Sequence, residues 1–309
     1  MTPIDPVHPK LGFIGIGSMG RPIARRLLQA GYKVMVYNRD RRKAEALVEC
    51  GATVAKRISQ LAFDADVILS CLPTDDAVRS VYAGPEGVFA NVRPGSVIVE
   101  MSTVNPEISR ELYKLGTACA VGVLDVPISG STLAAEQVTL TLLGGGDEEV
   151  FHTAEPIFRA ISQQNFYLGP SGSGTTMKLV VNTLLGVGMQ AVAEAVAFGE
   201  KAGLNRDRLL DVLSHTAVIA PAHVGKLKKA AANDYSRQFA TRLMNKDFCV
   251  ILGGAAAALQ ISMPVTAAAF QINTLEAADS GGEDFSAVIR RMENLAHLNS
   301  ERRRAVGET

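Results

Sequence analysis

The chain has 309 residues, 47% of them hydrophobic and 20% charged, a composition typical of a folded globular protein with about two domains. Its 31 basic and 31 acidic residues cancel, so no global charge attracts nucleic acid or an anionic membrane surface. The four cysteines and five histidines form neither a C-x-x-C pair nor a metal-ligand spacing. This pattern predicts reduced thiols in a cytoplasmic protein and no metal site.

Both ends of the chain are predicted to be flexible. Residues 1–9 carry three prolines and lack the apolar segment of a signal peptide, and residues 299–309 are polar. Between them, from Leu11 to Gly169, short apolar runs alternate with amphipathic stretches. This alternation predicts a Rossmann-type α/β domain over 10–170, with a doubly wound, mostly parallel sheet. The predicted strands are LGFIGIG, KVMVYN, DVILSCL, SVIVEM, GVLDVPI and TLTLLGG.

After the Gly-rich bend at 169–174 the chain is predicted to be helical to its end, as an all-α domain over 171–298. Its first stretch, from about 175 to 203, is apolar nearly all round, and a helix of that length measures roughly 45 Å. Polar residues such as Asn182 and Gln190 interrupt it, so a helix buried between domains and subunits is favoured over a membrane span. Its apolar surface also predicts a homodimer or homotetramer. Further helices are predicted over 207–216, 244–258, 265–279 and 285–296.

A Gly-rich turn follows the first predicted strand and precedes a helix. Its residues, in the pattern G-x-G-x-x-G, are Gly15, Ile16, Gly17, Ser18, Met19 and Gly20. Such glycines let the backbone approach a pyrophosphate, which the N–H groups at the helix start then bind. The turn therefore predicts a dinucleotide cofactor.

The second predicted strand ends at Asn38-Arg39, where an NAD site usually has an acidic residue that holds the ribose hydroxyls. Asn38 forms hydrogen bonds without repelling a 2′-phosphate, and Arg39 offers a planar guanidinium to it. We therefore expect NADP(H) to be preferred over NAD(H). The alternative is that Asp40 caps the next helix and that the arginines are only its solvated first turn.

Lys178 and Asn182 lie four residues apart near the start of the long apolar helix, so they share one face. A cation and an amide are costly to bury there without a purpose. From spacing alone, a catalytic role and a structural one, with Lys178 reaching solvent and Asn182 bonding a neighbouring helix, are equally favoured.

Four motifs together resemble those of the β-hydroxyacid dehydrogenase family, over residues 10–298. They are GFIGIGSMG, DVPISG, GSGTTMKLVVN and NKDF, in this order. The family contains 3-hydroxyisobutyrate dehydrogenase, tartronate semialdehyde reductase and NADPH-dependent glyoxylate/succinic semialdehyde reductases. The resemblance implies an enzyme that transfers hydride between NADP(H) and a small β-hydroxy acid or semialdehyde bearing a carboxylate, with a semialdehyde or glyoxylate reductase favoured.

The resemblance also implies roles for the matching residues. Lys178 would be the general acid/base, Asn182 would orient the substrate and the lysine, and Ser129 with Gly130 would bind the substrate carboxylate. The remaining implied site residues are Thr103 beside the nicotinamide and substrate, Leu72 and Pro73 in the cofactor groove, Phe239 closing the pocket, Lys246 near the nicotinamide, and Asp247 anchoring the pocket wall. If Lys178 is buried beside the apolar helix, its pKa should fall, so alcohol oxidation is expected to be favoured at alkaline pH and reduction near neutrality.

Two departures from the family pattern concern the pocket. Ser131 and Val138 occupy positions that glycine often holds in the family, which leaves the substrate's identity open. One alternative is an NADPH-dependent imine reductase of the same fold, although that group generally carries Asp or Tyr where this chain has Lys178. A decarboxylating 6-phosphogluconate dehydrogenase is disfavoured by the short helical region. A non-catalytic NADP-binding scaffold is disfavoured by the presence of Lys178 and Asn182.

Overall fold

The computed structural model describes residues 9–298, so residues 1–8 and 299–309, where flexible ends are predicted, lie outside the described residues. The described chain divides into two compact units. The first unit ends at Leu179 and the second begins at Val180, inside one long helix. The predicted domain ranges, 10–170 and 171–298, stay predictions.

The first unit contains a six-stranded parallel sheet in the order β3-β2-β1-β4-β5-β6. Its strands are β1 (Leu11–Ile14), β2 (Val34–Tyr37), β3 (Thr53–Val54), β4 (Val67–Ser70), β5 (Val97–Glu100) and β6 (Gly122–Asp125). The three central strands are buried on both faces, as expected for a parallel sheet covered by helices. This strand order is that of a doubly wound dinucleotide-binding domain, which confirms the predicted fold class.

Seven helices accompany the strands of the first unit. They are α1 (Gly20–Gln29), α2 (Arg41–Glu45), α3 (Ile58–Asp64), α4 (Asp75–Tyr82), α5 (Pro106–Ala118), α6 (Thr132–Gln137) and α7 (Glu148–Arg159). Successive strand residues enter opposite cores: Phe13 packs in one cluster with Ile23 of α1, and Ile14 packs in the other with Tyr82 of α4. This two-residue period places one hydrophobic core on each face of the sheet.

The predicted strand GVLDVPI is wrong as a single strand, because it divides at Pro127. Proline has no N–H to continue a ladder, and the chain turns there from β6 into a second, three-stranded sheet. That sheet has the order β7-β8-β9, with β7 (Ile128–Ser129) antiparallel to β8 (Leu140–Gly144) and β8 parallel to β9 (Ser162–Tyr167). Strand β9 escaped prediction because its residues, SQQNFY, are largely polar.

The second unit is helical. After α8 (Ser173–Lys201) come α9 (Arg206–Ser214), α10 (Pro221–Ala231), α11 (Thr241–Cys249), a π-helical segment (Val250–Ala256), α12 (Pro264–Ser280), a short 3₁₀ turn (Phe285–Ala287) and α13 (Val288–Leu295). Helix α10 escaped prediction because two of its four buried residues, His223 and Lys226, are polar and break the apolar pattern. The predicted helix 244–258 changes to π geometry after Cys249, and such segments are often found near functional sites.

Among the described residues, α8 is long and apolar enough to cross a membrane by length and composition. Only 44% of its most apolar window is buried within the protein. Side chains such as Leu184 and Phe198 are largely exposed. The core helix of a soluble protein passes the same test, so this finding alone does not identify a membrane segment.

Candidate active site

The predicted cofactor residues of the first unit follow the carboxyl ends of parallel strands. Paired residues in adjacent strands form one row, Tyr37–Ile14–Ser70–Glu100–Asp125, in which β2, β1, β4, β5 and β6 all end. The Gly-rich turn, Asn38-Arg39, Leu72-Pro73, Thr103 and the DVPISG segment all leave from this row. Ligands of open α/β sheets bind at such an edge, so the structure brings these predicted residues together in the right part of the fold.

The Gly-rich turn leaves room for a cofactor's pyrophosphate. Gly15 has φ +98°, and a Cβ there would lie 2.3 Å from the carbonyl oxygen of Cys71. Gly17 and Ser18 are exposed, and a Cβ on Gly17 would project into open space. Helix α1 begins at Gly20, so the positive end of its dipole lies directly after this turn. These residues fit a dinucleotide.

Asn38 connects the turn to the end of β2. Its Oδ1 accepts a hydrogen bond from the backbone N–H of Ile16 at 3.0 Å, and its Nδ2 donates to the carbonyl oxygen of Asp40 at 2.9 Å. The amide therefore orders the loop that would hold the cofactor. This contact is an additional role that the spacing of the motif did not predict.

Arg39 is exposed and has no ion-pair partner within residues 9–298. The two arginines that follow it differ, since Arg41 pairs with Glu45 at 2.7 Å and Arg42 with Asp40 at 3.1 Å. Asp40 occupies the N-cap position of α2, but its side chain makes no capping hydrogen bond, so the side-chain cap of the alternative interpretation is not formed. Arg39 is thus the guanidinium of this group that is available to an anion.

A buried hydrogen-bond network lies beneath the carboxyl edge, around Glu100. Its carboxylate accepts from the backbone N–H of Ser102 at 2.7 Å and from the hydroxyl of Ser70, which also bonds Tyr82 at 2.6 Å. The Ser102 hydroxyl in turn accepts from the N–H of Leu72 at 2.7 Å. Burial raises the pKa of Glu100, although the hydrogen bonds oppose that rise. The network fixes the loops that carry Leu72 and Thr103.

Four more predicted residues lie on loops at the edge. Thr103 is half-buried and Pro73 is exposed. Ser129 ends β7, and Gly130 follows it with φ +140°. The next residue, Ser131, caps α6 by accepting a hydrogen bond from the N–H of Ala134 at 3.3 Å, which accounts for a serine at that position.

Lys178 lies on the second turn of α8, and Asp125 of β6 holds the start of that helix. The buried Asp125 carboxylate accepts from the N–H of Gly172 at 2.8 Å, the N–H of Thr175 at 2.8 Å and the Thr175 hydroxyl at 3.1 Å. A Cβ on Gly174 would lie 2.2 Å from the carbonyl oxygen of Leu143, so only glycine fits that close approach. Burial raises the pKa of Asp125, and the same hydrogen bonds oppose that rise.

In the second unit Asn182 is buried and joined to two predicted residues. Its Nδ2 donates to Asp247 Oδ2 at 2.6 Å, and Lys246 Nζ lies 2.6 Å from Asp247 Oδ1. A carboxylate only accepts hydrogen bonds, so Asp247 fixes which way the amide faces. Asn182 Oδ1 is buried and has no hydrogen-bond partner among residues 9–298. It remains able to accept a hydrogen bond.

Phe239, predicted to close the pocket, is half-buried against the Phe285 ring, with 5.7 Å between centroids. Its backbone N–H donates to Asp284 at 2.9 Å, and Asp284 forms a buried ion pair with Lys226 at 2.7 Å. The Lys226–Asp284 pair, which the motifs did not reveal, therefore anchors the segment that carries Phe239. Residues 9–298 contain no group of three His, Cys, Asp or Glu placed to hold a metal ion.

Two family models match the chain. Residues 10–169 match the NAD-binding domain of 6-phosphogluconate dehydrogenase, and residues 172–292 match the NAD-binding domain of NADP-dependent 3-hydroxyisobutyrate dehydrogenase. The 2-(hydroxymethyl)glutarate dehydrogenase of Eubacterium barkeri is 33% identical over 94% of this chain and 97% of its own. Glyoxylate/succinic semialdehyde reductase 1 of Arabidopsis thaliana is 34% identical over 91% of this chain and 97% of its own.

Solved structures agree with these matches. The 3-hydroxyisobutyrate dehydrogenase of Mycobacterium tuberculosis, solved with L-serine, has a TM-score of 0.84 and 30% identity, and the match covers 92% of this chain and 99% of that one. An imine reductase from Myxococcus stipitatus, solved with NADP⁺, has a TM-score of 0.65 over 91% of this chain and 99% of its own. Its 21% identity shows a shared fold only.

Proposed function

The chain belongs to the β-hydroxyacid dehydrogenase family, oxidoreductases that act on CH–OH groups, and we propose that it reduces a small semialdehyde or glyoxylate with NADPH. The observation that carries the proposal is the placement of Lys178. Lys178 lies on α8, and the start of α8 is hydrogen-bonded to the Asp125 carboxylate at the end of β6. The predicted cofactor residues follow the ends of neighbouring strands at the same edge of the sheet. A general acid at that edge is what carbonyl reduction requires.

Lys178 acts as the proton-transfer residue in this proposal. A bound nicotinamide cofactor supplies hydride for reduction and accepts it in oxidation. As charge develops on the carbonyl oxygen, the Lys178 ammonium stabilises it and donates the proton. In the reverse direction the lysine must be neutral to take the proton from the alcohol, so oxidation is favoured at alkaline pH.

Two further groups orient the substrate. Ser129 and the backbone N–H of Gly130 bind its carboxylate through hydrogen bonds to an anion. Asn182 Oδ1, which has no hydrogen-bond partner among residues 9–298, accepts the hydrogen bond of the hydroxyl group of the hydroxy acid. That hydroxy acid is the product of reduction and the substrate of the reverse oxidation.

We infer a preference for NADPH from the end of β2. The position usually acidic in NAD enzymes is Asn38, so nothing there repels a 2′-phosphate. Arg39 supports the inference because it is exposed and lacks an ion-pair partner within residues 9–298. A guanidinium binds phosphate through a planar pair of N–H donors.

The assembly and setting are further proposals. We propose a homodimer or homotetramer, because α8 exposes large apolar side chains such as Leu184 and Phe198. A cytoplasmic location is supported by four free thiols, two of them exposed. The zero net charge favours a small-molecule substrate over a nucleic acid or membrane partner.

The proposed activity is tested by cofactor oxidation against a panel of carbonyl compounds. We expect turnover of at least one among glyoxylate, succinic semialdehyde, methylmalonate semialdehyde and tartronate semialdehyde, faster with NADPH than with NADH. The same panel includes a cyclic imine without a carboxylate. Turnover of the imine alone favours an imine reductase, and cofactor binding without any turnover favours a non-catalytic scaffold.

A further inference from the structure

We propose that Asp125 is a positioning residue for Lys178, holding the start of α8 at the sheet edge and placing a negative charge near the lysine. The inference rests on the proposed function of Lys178. Asp125 ends β6, and its partners lie 47 and 50 residues further along the chain.

Asp125 accepts three hydrogen bonds that order the beginning of α8. Its two carboxylate oxygens accept the N–H groups of Gly172 and Thr175 and the hydroxyl of Thr175. That hydroxyl also lies 2.9 Å from the Ser109 hydroxyl on α5. The N–H groups at a helix start have no partner within the helix, so a side-chain acceptor there orders the whole first turn.

Helix geometry carries this order to Lys178. Lys178 lies three residues after Thr175, so the two residues are neighbours on one face of α8. A side chain in a helix leans toward the N-terminus and covers the preceding turn. We therefore expect the Lys178 side chain to lean from its own turn toward the turn that Asp125 holds.

The negative charge of Asp125 also affects Lys178, because a carboxylate stabilises a nearby ammonium group. At an effective dielectric constant of about 20, a carboxylate on the order of 10 Å from an amine would raise the amine's pKa by about one unit, and we take this as the size of the effect to test. The carboxylate also offsets the positive end of the helix dipole, which otherwise disfavours an ammonium. Asp125 thus favours the protonated Lys178 that reduction uses.

Other charges near the start of α8 stay in place when Asp125 is changed. Arg110 of α5 packs against Gly172, and it is paired with Glu107. A neighbouring surface hollow is lined by the charged residues Arg110, Lys114, Asp147 and Glu148, together with Ser171. Arg110 and Glu107 are substantially exposed, so solvent screens them more than it screens the buried Asp125.

The test compares Asp125→Asn with Asp147→Asn, a same-type change at an aspartate that precedes α7 without capping it. The readout is the pKa of the Lys178 amine, obtained from the pH dependence of competitive lysine labelling and mass spectrometry. We expect Asp125→Asn to lower that pKa by about one unit and to move the alkaline limb of alcohol oxidation equally. We expect Asp147→Asn to move neither, and an unshifted Lys178 in Asp125→Asn overturns the inference.

A milder pair of variants tests positioning if Asp125→Asn does not fold. Thr175→Val removes the hydroxyl's hydrogen bonds to Asp125 and Ser109 and keeps the carboxylate, so we expect kcat to fall several-fold with the Lys178 pKa unchanged. Thr153→Val is the control, since the hydroxyl of this α7 threonine donates to the backbone carbonyl oxygen of Glu149, and it should leave kcat unchanged. Equal kcat values in the two variants contradict the positioning role. Normal turnover by Lys178→Ala would overturn the proposed function. If Lys178→Ala loses turnover but Asp125→Asn keeps the wild-type Lys178 pKa and turnover, only the role of Asp125 is overturned.

Discussion

The Glu100 carboxyl is a buried titratable group beneath the carboxyl edge of the parallel sheet. It is 2% exposed, and it accepts hydrogen bonds from Ser70 at the end of β4 and from Ser102 in the loop after β5. Burial raises its pKa, so between the unfolded and folded pKa values the folded protein binds more protons than the unfolded chain. Its contribution to stability is therefore fully present below the unfolded pKa, about 4.3, and is lost as pH rises through the folded value.

Replacing Glu100 by Gln removes this titration and keeps a similar shape. We subtract the free energy of unfolding of wild type from that of Glu100→Gln. We expect this difference to be larger at about pH 8 than at about pH 5, so that the variant gains stability relative to wild type as the pH rises. Urea unfolding at both pH values measures the difference. A relative free energy that is the same at both would show that Glu100 keeps its ordinary pKa in the folded protein.

At the scale of one side chain, we propose that Arg39 sets the preference for NADPH over NADH. Replacing it by Ala should raise KM for NADPH by roughly tenfold or more, since a hydrogen bond to a charged group contributes about 1.5–3 kcal/mol. KM for NADH should change little, because NADH has no 2′-phosphate. Arg41→Ala is the control, since Arg41 is already paired with Glu45. Equal losses with both cofactors would contradict the assignment.

The motifs could predict which residues belong to the site but not how those residues are held. Lys178, Asn182 and the Gly-rich turn stand out in the sequence because their residue types and spacing carry chemistry. Asp125 lies inside a quoted motif, yet its partners are 47 and 50 residues away. Ser70, one of the partners of Glu100, lies 30 residues away from it in the sequence. Burial and long-range hydrogen bonds of this kind had to come from the structure.

At the scale of elements, Val138 ends α6 in a left-handed conformation, with φ +60°. An L-residue in this region is disfavoured by about 1–2 kcal/mol, and a β-branched side chain fits it poorly. This conformation explains why glycine is common here in the family. The departure at Val138 thus affects the backbone of α6 rather than the catalytic groups.

Val138→Gly should stabilise the protein by up to about 1 kcal/mol, because the relief of strain exceeds the entropy that glycine loses on folding. Chemical denaturation measures the change. Val48→Gly, at an exposed valine with an ordinary negative φ, should instead be neutral or destabilising. Destabilisation by both substitutions would mean that Val138 is not strained.

The order of elements was largely predictable from apolar periodicity. The first strands and most helices of the second unit lie within a few residues of their predicted bounds. The exceptions have physical causes: β9 is polar, α10 buries His223 and Lys226, and Pro127 divides a continuous apolar run. For β9 and α10, contacts made by the folded chain override the local pattern, whereas Pro127 ends the strand because proline has no N–H to donate.

At the scale of the whole molecule, the exposed apolar face of α8 bears on assembly. One chain has a mass of 32.8 kDa, and Leu184 is 71% exposed in it. We expect light scattering to give two or four times that mass, and Leu184→Glu to shift the protein toward the monomer. Val218→Glu, at an exposed valine outside α8, should leave the assembly unchanged. A monomeric wild type would contradict the proposed assembly.

The central claim is that Lys178 transfers the proton, and the turnover of Lys178→Ala tests it most directly. The account predicts that kcat for the preferred aldehyde falls by about 10²–10⁴, the usual contribution of a general acid, while the Kd of NADPH is unchanged. Lys201→Ala, at the far end of the same helix, should keep wild-type turnover. A Lys178→Ala enzyme that turns over at close to the wild-type rate would contradict the account.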